Sequence, residues 1–140
     1  MSELLLKKAR CLLDEGYTCA LVGEDKILTS TQRGVAPLLA WLDGGGCCKG
    51  FVAADKVVGK AAAYLYVLLG VAFVHAKVIS KAAEEVFSRF SLPYNYEESV
   101  EAIRNREGNG FCPMEQAVWG IDEPQKAYEK IIQTQKELRK

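Results

Sequence analysis

The chain has 140 residues, enough for one domain with a buried core. Its 18 Lys and Arg balance 18 Asp and Glu, and a formal net charge of zero argues against a bulk electrostatic hold on nucleic acid. Apolar residues make up 49%, the usual share for a globular domain, and the longest apolar stretch, Ala61–Val74, is too short to span a bilayer.

Met1–Gly16 carries Lys7, Lys8 and Arg10 and reads as an amphipathic helix over Ser2–Glu15 rather than a signal peptide. In "YTCALVGEDKILTST" two β-rich runs flank "GEDK", the pattern of a hairpin. "GVAPLLAWLD" predicts a short helix entered through Pro37 and closed by Gly44–Gly46. "KGFVAAD" predicts a buried strand, and "GKAAAYLYVLLG" a helix apolar on nearly every face that needs cover on several sides. "AFVHAKVIS" is the next strand. "KAAEEVFSRF" is an amphipathic helix with Ser80 as N-cap, and Pro93 forbids its continuation. "YNYEESV" fits a short edge strand, "IRNREGNGF" a loop, and "CPMEQAVWG" a helix with Pro113 in its first turn. The last helix, within residues 122–140, has Asp122 and Gln125 in capping-box positions and an apolar stripe of Ala127, Tyr128, Ile131, Ile132 and Leu138. Alternating strands and helices demand a mostly parallel sheet, and the hairpin adds an antiparallel strand. The expectation is a single α/β domain over residues 1–140: a three-layer α/β/α sandwich on a mixed sheet of about five strands.

Ligands of open α/β sheets bind beyond the carboxyl ends of the parallel strands. Two such junctions are chemically loaded, Asp55–Lys60 and Ser80–Lys81. At the first, Gly59 would admit a ligand close to the backbone, free N–H groups at the helix start would favour an anion, and Lys56 and Lys60 would add charge. The competing reading is a helix cap with an easy turn and solvated lysines. A Walker A loop is ruled out, because it needs Gly at Ala54 and Ser or Thr at Ala61. Cys112 and Glu115 form the other candidate. A thiol at a helix N-terminus can be a nucleophile, but Cys112, Pro113 and Glu115 also suit an imperfect cap. His75, the single histidine, lies inside a strand pattern and suits a buried structural role. Asn105 and Arg106 reach an anionic ligand or merely hold their loop. The five cysteines, Cys11, Cys19, Cys47, Cys48 and Cys112, are odd in number and unladdered, which fits a reducing cytoplasm. The Cys47–Cys48 pair has no further Cys or His at ligand spacing.

The segments "STQRGVAPLL", "VAADKVVGKAAAYL", "AKVISKAA" and "NREGNGFCPMEQ" resemble a small uncharacterised prokaryotic family whose fold is grouped with the cytidine deaminases. The resemblance spans residues 17–135. It implies a deaminase-like α/β/α sandwich, in line with the element order. Zinc deaminases carry His or Cys, one residue, then Glu on one helix, and Pro-Cys-x-x-Cys on the next. The helix starts at Gln32–Pro37 and at Gly59–Lys60 lack those ligands, so no metal and no cofactor is expected.

The leading expectation is therefore a metal-free deaminase-like domain that binds a nucleotide or ADP-ribose-like phosphate ligand. Its site would comprise Arg33, Gly34, Asp55, Lys56, Gly59, Lys60, Ser80, Lys81, Asn105 and Arg106. One alternative is a hydrolase or group-transfer enzyme with Asp55 or Cys112 as nucleophile and Glu115 beside it. Another is an oligomeric interaction or regulatory protein without a small ligand. The exposed apolar demand of Ala61–Leu69 and the resemblance both point to a homo-oligomer, with no nucleic-acid or membrane partner.

Overall fold

The computed structural model describes residues 3–32, 34–44, 48–103 and 112–138. In chain order the elements are α1 (Glu3–Asp14), β1 (Cys19–Val22), β2 (Ile27–Ser30), α2 (Ala36–Asp43), β3 (Val52–Val58) and α3 (Lys60–Leu69). They continue with β4 (Phe73–Ser80), α4 (Lys81–Arg89), β5 (Tyr94–Val100), α5 (Pro113–Val118) and α6 (Pro124–Leu138). Five strands form one mixed sheet in the order β2-β1-β3-β4-β5. The hairpin β1–β2 and the β1–β3 pair are antiparallel, whereas β3–β4 and β4–β5 are parallel.

The helices are divided unequally between the two faces. On one face α1 sets Leu5, Ala9, Leu12 and Leu13 against Val22 and Ala54. On the other, α2, α3, α4, α5 and α6 share one continuous core with Leu21, Ala53, Val74 and Ala76. The β3-α3-β4 and β4-α4-β5 crossovers step the same way across the sheet, and a common handedness then puts α3 and α4 on the same face.

Helix α3 is the axis of that larger layer. Ala61, Ala62, Ala63, Tyr64, Leu65, Tyr66 and Leu69 are all buried. Its contacts run to α2, α4, α5, α6 and β3. The cover demanded by an all-round apolar helix is thus supplied by the chain's own helices. The helix ends at Gly70, whose φ of 78° closes the last turn in the left-handed region that glycine adopts without strain.

Three local expectations change. Strand β3 does not stop at Asp55 but runs on through Lys56, Val57 and Val58, so only Gly59 separates it from α3. Two β-branched residues favour extension, and the Lys56 N–H is held by the Thr18 carbonyl at 3.1 Å. Helix α6 begins at Pro124, one residue later than a cap at Asp122 requires. The Asp122 carbonyl instead accepts from Arg89 at 2.6 Å. Leu138, assigned to the apolar stripe of α6, is exposed, while Ala127 and Ile131 are buried.

Ser80 caps α4 as expected, its Oγ accepting the Ala83 N–H at 3.1 Å. Replacing it by alanine leaves that donor unmet inside the fold, because Ser80 is buried. Ser80→Ala should cost about 1 kcal/mol in urea unfolding, with the fold retained by circular dichroism.

Candidate functional site

Gly59 is the N-cap of α3 and has no side chain with which to satisfy the first N–H groups. The partner comes from far along the chain. Glu115, in α5, spreads its carboxylate over the helix start, accepting the Lys60 N–H at 2.7 Å on Oε1 and the Ala61 N–H at 2.9 Å on Oε2. A side chain on residue 59 would collide with this group: a Cβ built there falls 2.4 Å from Cδ and Oε1 of Glu115. The φ of Gly59, −100°, suits any residue, so the requirement for glycine is space for the carboxylate. Glu115 is buried. Burial pushes its pKa up, while the Ala61 and Lys60 N–H donors and the Lys60 charge pull it back. The Lys60 side chain turns to the same neighbour element, its Nζ donating to the Trp119 carbonyl at 3.0 Å.

A second polar assembly lies along α3. Asp55 faces the α3 layer from β3, opposite Cys19 in the β1–β3 register. The Tyr66 hydroxyl donates to Asp55 Oδ2 at 2.6 Å and lies 3.1 Å from Cys19 Sγ. The Val57 N–H approaches Asp55 Oδ1 at 3.4 Å. Asp55 is 8% exposed and Cys19 2%, so this chain of groups is sealed from bulk water. Burial raises the Asp55 pKa from 3.8 to about 7, against the hydrogen bond from Tyr66. Burial and the Asp55 charge also push the Cys19 thiol and the Tyr66 phenol up.

The segments Asp55–Lys60 and Cys112–Glu115, singled out separately in the sequence, therefore meet, through Glu115 on the α3 start. Cys112 is the N-cap of the six-residue α5 and makes no side-chain cap bond. Ser80 is committed to α4, and the Lys81 Nζ lies 4.0 Å from Glu84. Gly34 adopts φ 72° just ahead of α2. Arg33, Cys47, Asn105 and Arg106 lie outside the described residues. His75 is buried, its ring nitrogens against Asn95 and Glu97 on β5. Among the described residues no group of three or more His, Cys, Asp and Glu is placed to hold a metal ion. Two hollows lie elsewhere. One, of about 380 Å³, is lined by Gly23, Lys26, Lys49 and Phe51 at the hairpin end, and a smaller one sits by Val67, Phe90 and Pro93.

Sequence reasoning did not anticipate Tyr66 and Cys19 as partners of Asp55, or the reach of Glu115 beyond its own helix. Signals for both existed. A tyrosine hydroxyl in an all-round apolar helix must find a partner, and a helix opening on glycine has no cap of its own.

The comparisons agree with this architecture. Residues 7–134 match the family model TM1506, a domain of unknown function, DUF1893. The chain is similar to the crystal structure of a DUF1893 family protein, TM1506 from Thermotoga maritima, with a TM-score of 0.88 and 25% identity. The match covers 95% of this chain and 91% of that one. No curated protein matches. No helix among the described residues is long and apolar enough to cross a membrane.

The clash at residue 59 ties Gly59 to Glu115. Gly59→Ala and Glu115→Ala should each cost about 1–3 kcal/mol in urea unfolding, since either leaves the α3 donors unmet. The double variant should cost clearly less than the sum, because both changes remove the same contact.

Proposed function

Since the chain belongs to the DUF1893 family, a domain of unknown function, we propose a function from its own site: binding of a nucleotide or ADP-ribose-like phosphate ligand at the start of α3. In this reading the domain has a cytidine-deaminase-like arrangement, for which the β2-β1-β3-β4-β5 order of the mixed sheet speaks, and it works without metal. The observation that carries the reading is the Glu115 carboxylate on two backbone N–H groups. That pair already meets a carboxyl group, beyond the carboxyl end of a parallel strand, the edge at which this class of fold takes its ligands. A ligand phosphate takes the place of Glu115, and Lys60 exchanges the Trp119 carbonyl for a phosphate oxygen. Asp55 stays out of the exchange, because its carboxyl is engaged by Tyr66. The same engagement makes Asp55 a poor nucleophile, which favours binding over group transfer.

Calorimetry with ADP, ADP-ribose and NAD tests the reading, alongside mass spectrometry of the purified protein for bound nucleotide. Glu115→Gln should bind more tightly than wild type, because it weakens the internal competitor. Lys60→Ala should bind more weakly by about 1–3 kcal/mol, the scale of a charge-assisted hydrogen bond. If neither wild type nor Glu115→Gln binds any of the three below millimolar concentration, the contact is a helix cap and nothing more.

A further inference from the structure

We propose that the hollow between the hairpin turn and the entrance to β3 is a binding site for a free α-amino acid with a large apolar side chain. The proposal is independent of any ligand at the start of α3, which lies at the other end of β3. Strands β1 and β3 are antiparallel with Val22 opposite Val52, so the turn after β1 and the turn before β3 leave the sheet side by side. Each turn is closed by a hydrogen bond. The Gly23 N–H donates to the Lys26 carbonyl at 2.8 Å, and the Phe51 N–H to the Cys48 carbonyl at 3.0 Å. In the second turn Gly50 has a φ of 84°, the left-handed value that glycine supplies without strain. Helix α1 reaches β1 through residues 15–18 alone, so its start overlies the end of β1 and brings Leu5 to the same hollow.

Three segments distant in sequence thus border a space of about 380 Å³. Small-ligand sites run from about 300 to 1,000 Å³, so this one takes a small metabolite. Part of its lining is apolar. The Phe51 ring lies against the Gly23 backbone, so closely that a Cβ built on Gly23 falls 2.6 Å from Cε1 of the ring. Leu5 adds a second apolar wall. The rest is charged: Lys26 and Lys49 come from the two turns, and Glu24 and Asp25 from the hairpin tip. All four are exposed. Among the described residues none of the four is in an ion pair, although both signs line one hollow.

That combination selects the ligand. Two cations and two anions give the lining no net charge, so a bare anion or a bare cation meets repulsion as well as attraction. A zwitterion meets both signs favourably. Its carboxylate takes the lysines and its ammonium takes Glu24 and Asp25, through charge-assisted hydrogen bonds. The apolar surface of Phe51 and Leu5 calls for an apolar side chain beside those charges, and an aromatic one can pack on the Phe51 ring edge-to-face or offset. The compound that carries a carboxylate, an ammonium and an apolar side chain on a single carbon is an α-amino acid.

The probes are L-phenylalanine and L-leucine. The controls are glycine, which lacks the side chain, and N-acetyl-L-phenylalanine and L-phenylalaninamide, which each lack one charge. In calorimetry on the intact chain at least one of the two probes should bind below millimolar concentration, and all three controls should bind weaker than it by about tenfold or more. Amide NMR shifts on adding that probe should cluster at residues 23–26 and 49–51 and leave Lys60 and Ala61 unmoved. The double variant Lys26→Gln with Lys49→Gln should bind it about tenfold or more weakly, with urea unfolding unchanged because both side chains are exposed. Failure of both probes to bind below millimolar concentration overturns the proposal. So does a charge-blocked control that binds as tightly as its parent, a shift pattern centred elsewhere, or a folded double variant with wild-type affinity. If the double variant fails to fold, the control series and the NMR map on the wild-type chain still decide.

Discussion

Two N–H groups at the start of α3 and the carboxylate that meets them hold the larger half of the molecule together. Every helix start leaves donors unmet, and most proteins satisfy them with a side chain one to three residues away. Here the acceptor is in α5, 54 and 55 residues further on. The arrangement fixes three things at once: the height of α3 over the sheet, the seat of α5 against it, and the identity of residue 59. Helix α5 has only six residues and would be marginal alone. Its anchorage is Glu115 together with Val118, which enters the common core.

Polar contacts do for the rotation of α3 what Glu115 does for its end. An apolar cylinder surrounded by apolar neighbours has little reason to prefer one angle about its own axis. The two tyrosine hydroxyls supply one. Tyr66 reaches down to Asp55 and Cys19, while Tyr64 donates to the Ile121 carbonyl at 2.6 Å and accepts from Arg89 at 3.0 Å. Arg89 in turn spans from α4 to the Asp122 carbonyl. Each hydroxyl would be costly to bury unpaired, so a rotated or slipped α3 loses more than packing. Specificity of the seat comes from these few groups, and bulk stability from the apolar ones.

Much of the fold was legible because it rests on local rules. Alternation and glycine punctuation located the hairpin, Ser80 announced α4, and the near-continuous apolar run of Ala61–Leu69 marked the central helix. The unequal division of the helices was not legible in the element order alone, which placed helices on both faces without saying how many on each. The end of β3 was misplaced because a charged residue, Asp55, looked like a terminus, whereas a tyrosine eleven positions on makes it tolerable inside. The site was legible in part. Gly59 and Glu115 were both singled out, but as parts of separate devices, since a contact between distant positions leaves no periodic trace. Cys19 was seen only as one of five thiols, because its neighbours across the sheet and on α3 are set by tertiary packing.

The distance between Gly59 and Glu115 also bears on the order in which the molecule can be assembled. A growing chain emerges from its amino end, so β3, α3 and β4 are all available before residue 115 exists. Until then α3 has a bare start and lacks the α5 and α6 side of its cover. The most apolar element of the protein must wait, partly exposed, for the last quarter of the sequence to arrive. Non-local closures of this kind slow folding and lengthen the time for which apolar surface can meet other chains. Completion of this domain is set at its carboxyl end, and a chain interrupted before Glu115 would carry its central helix unfinished.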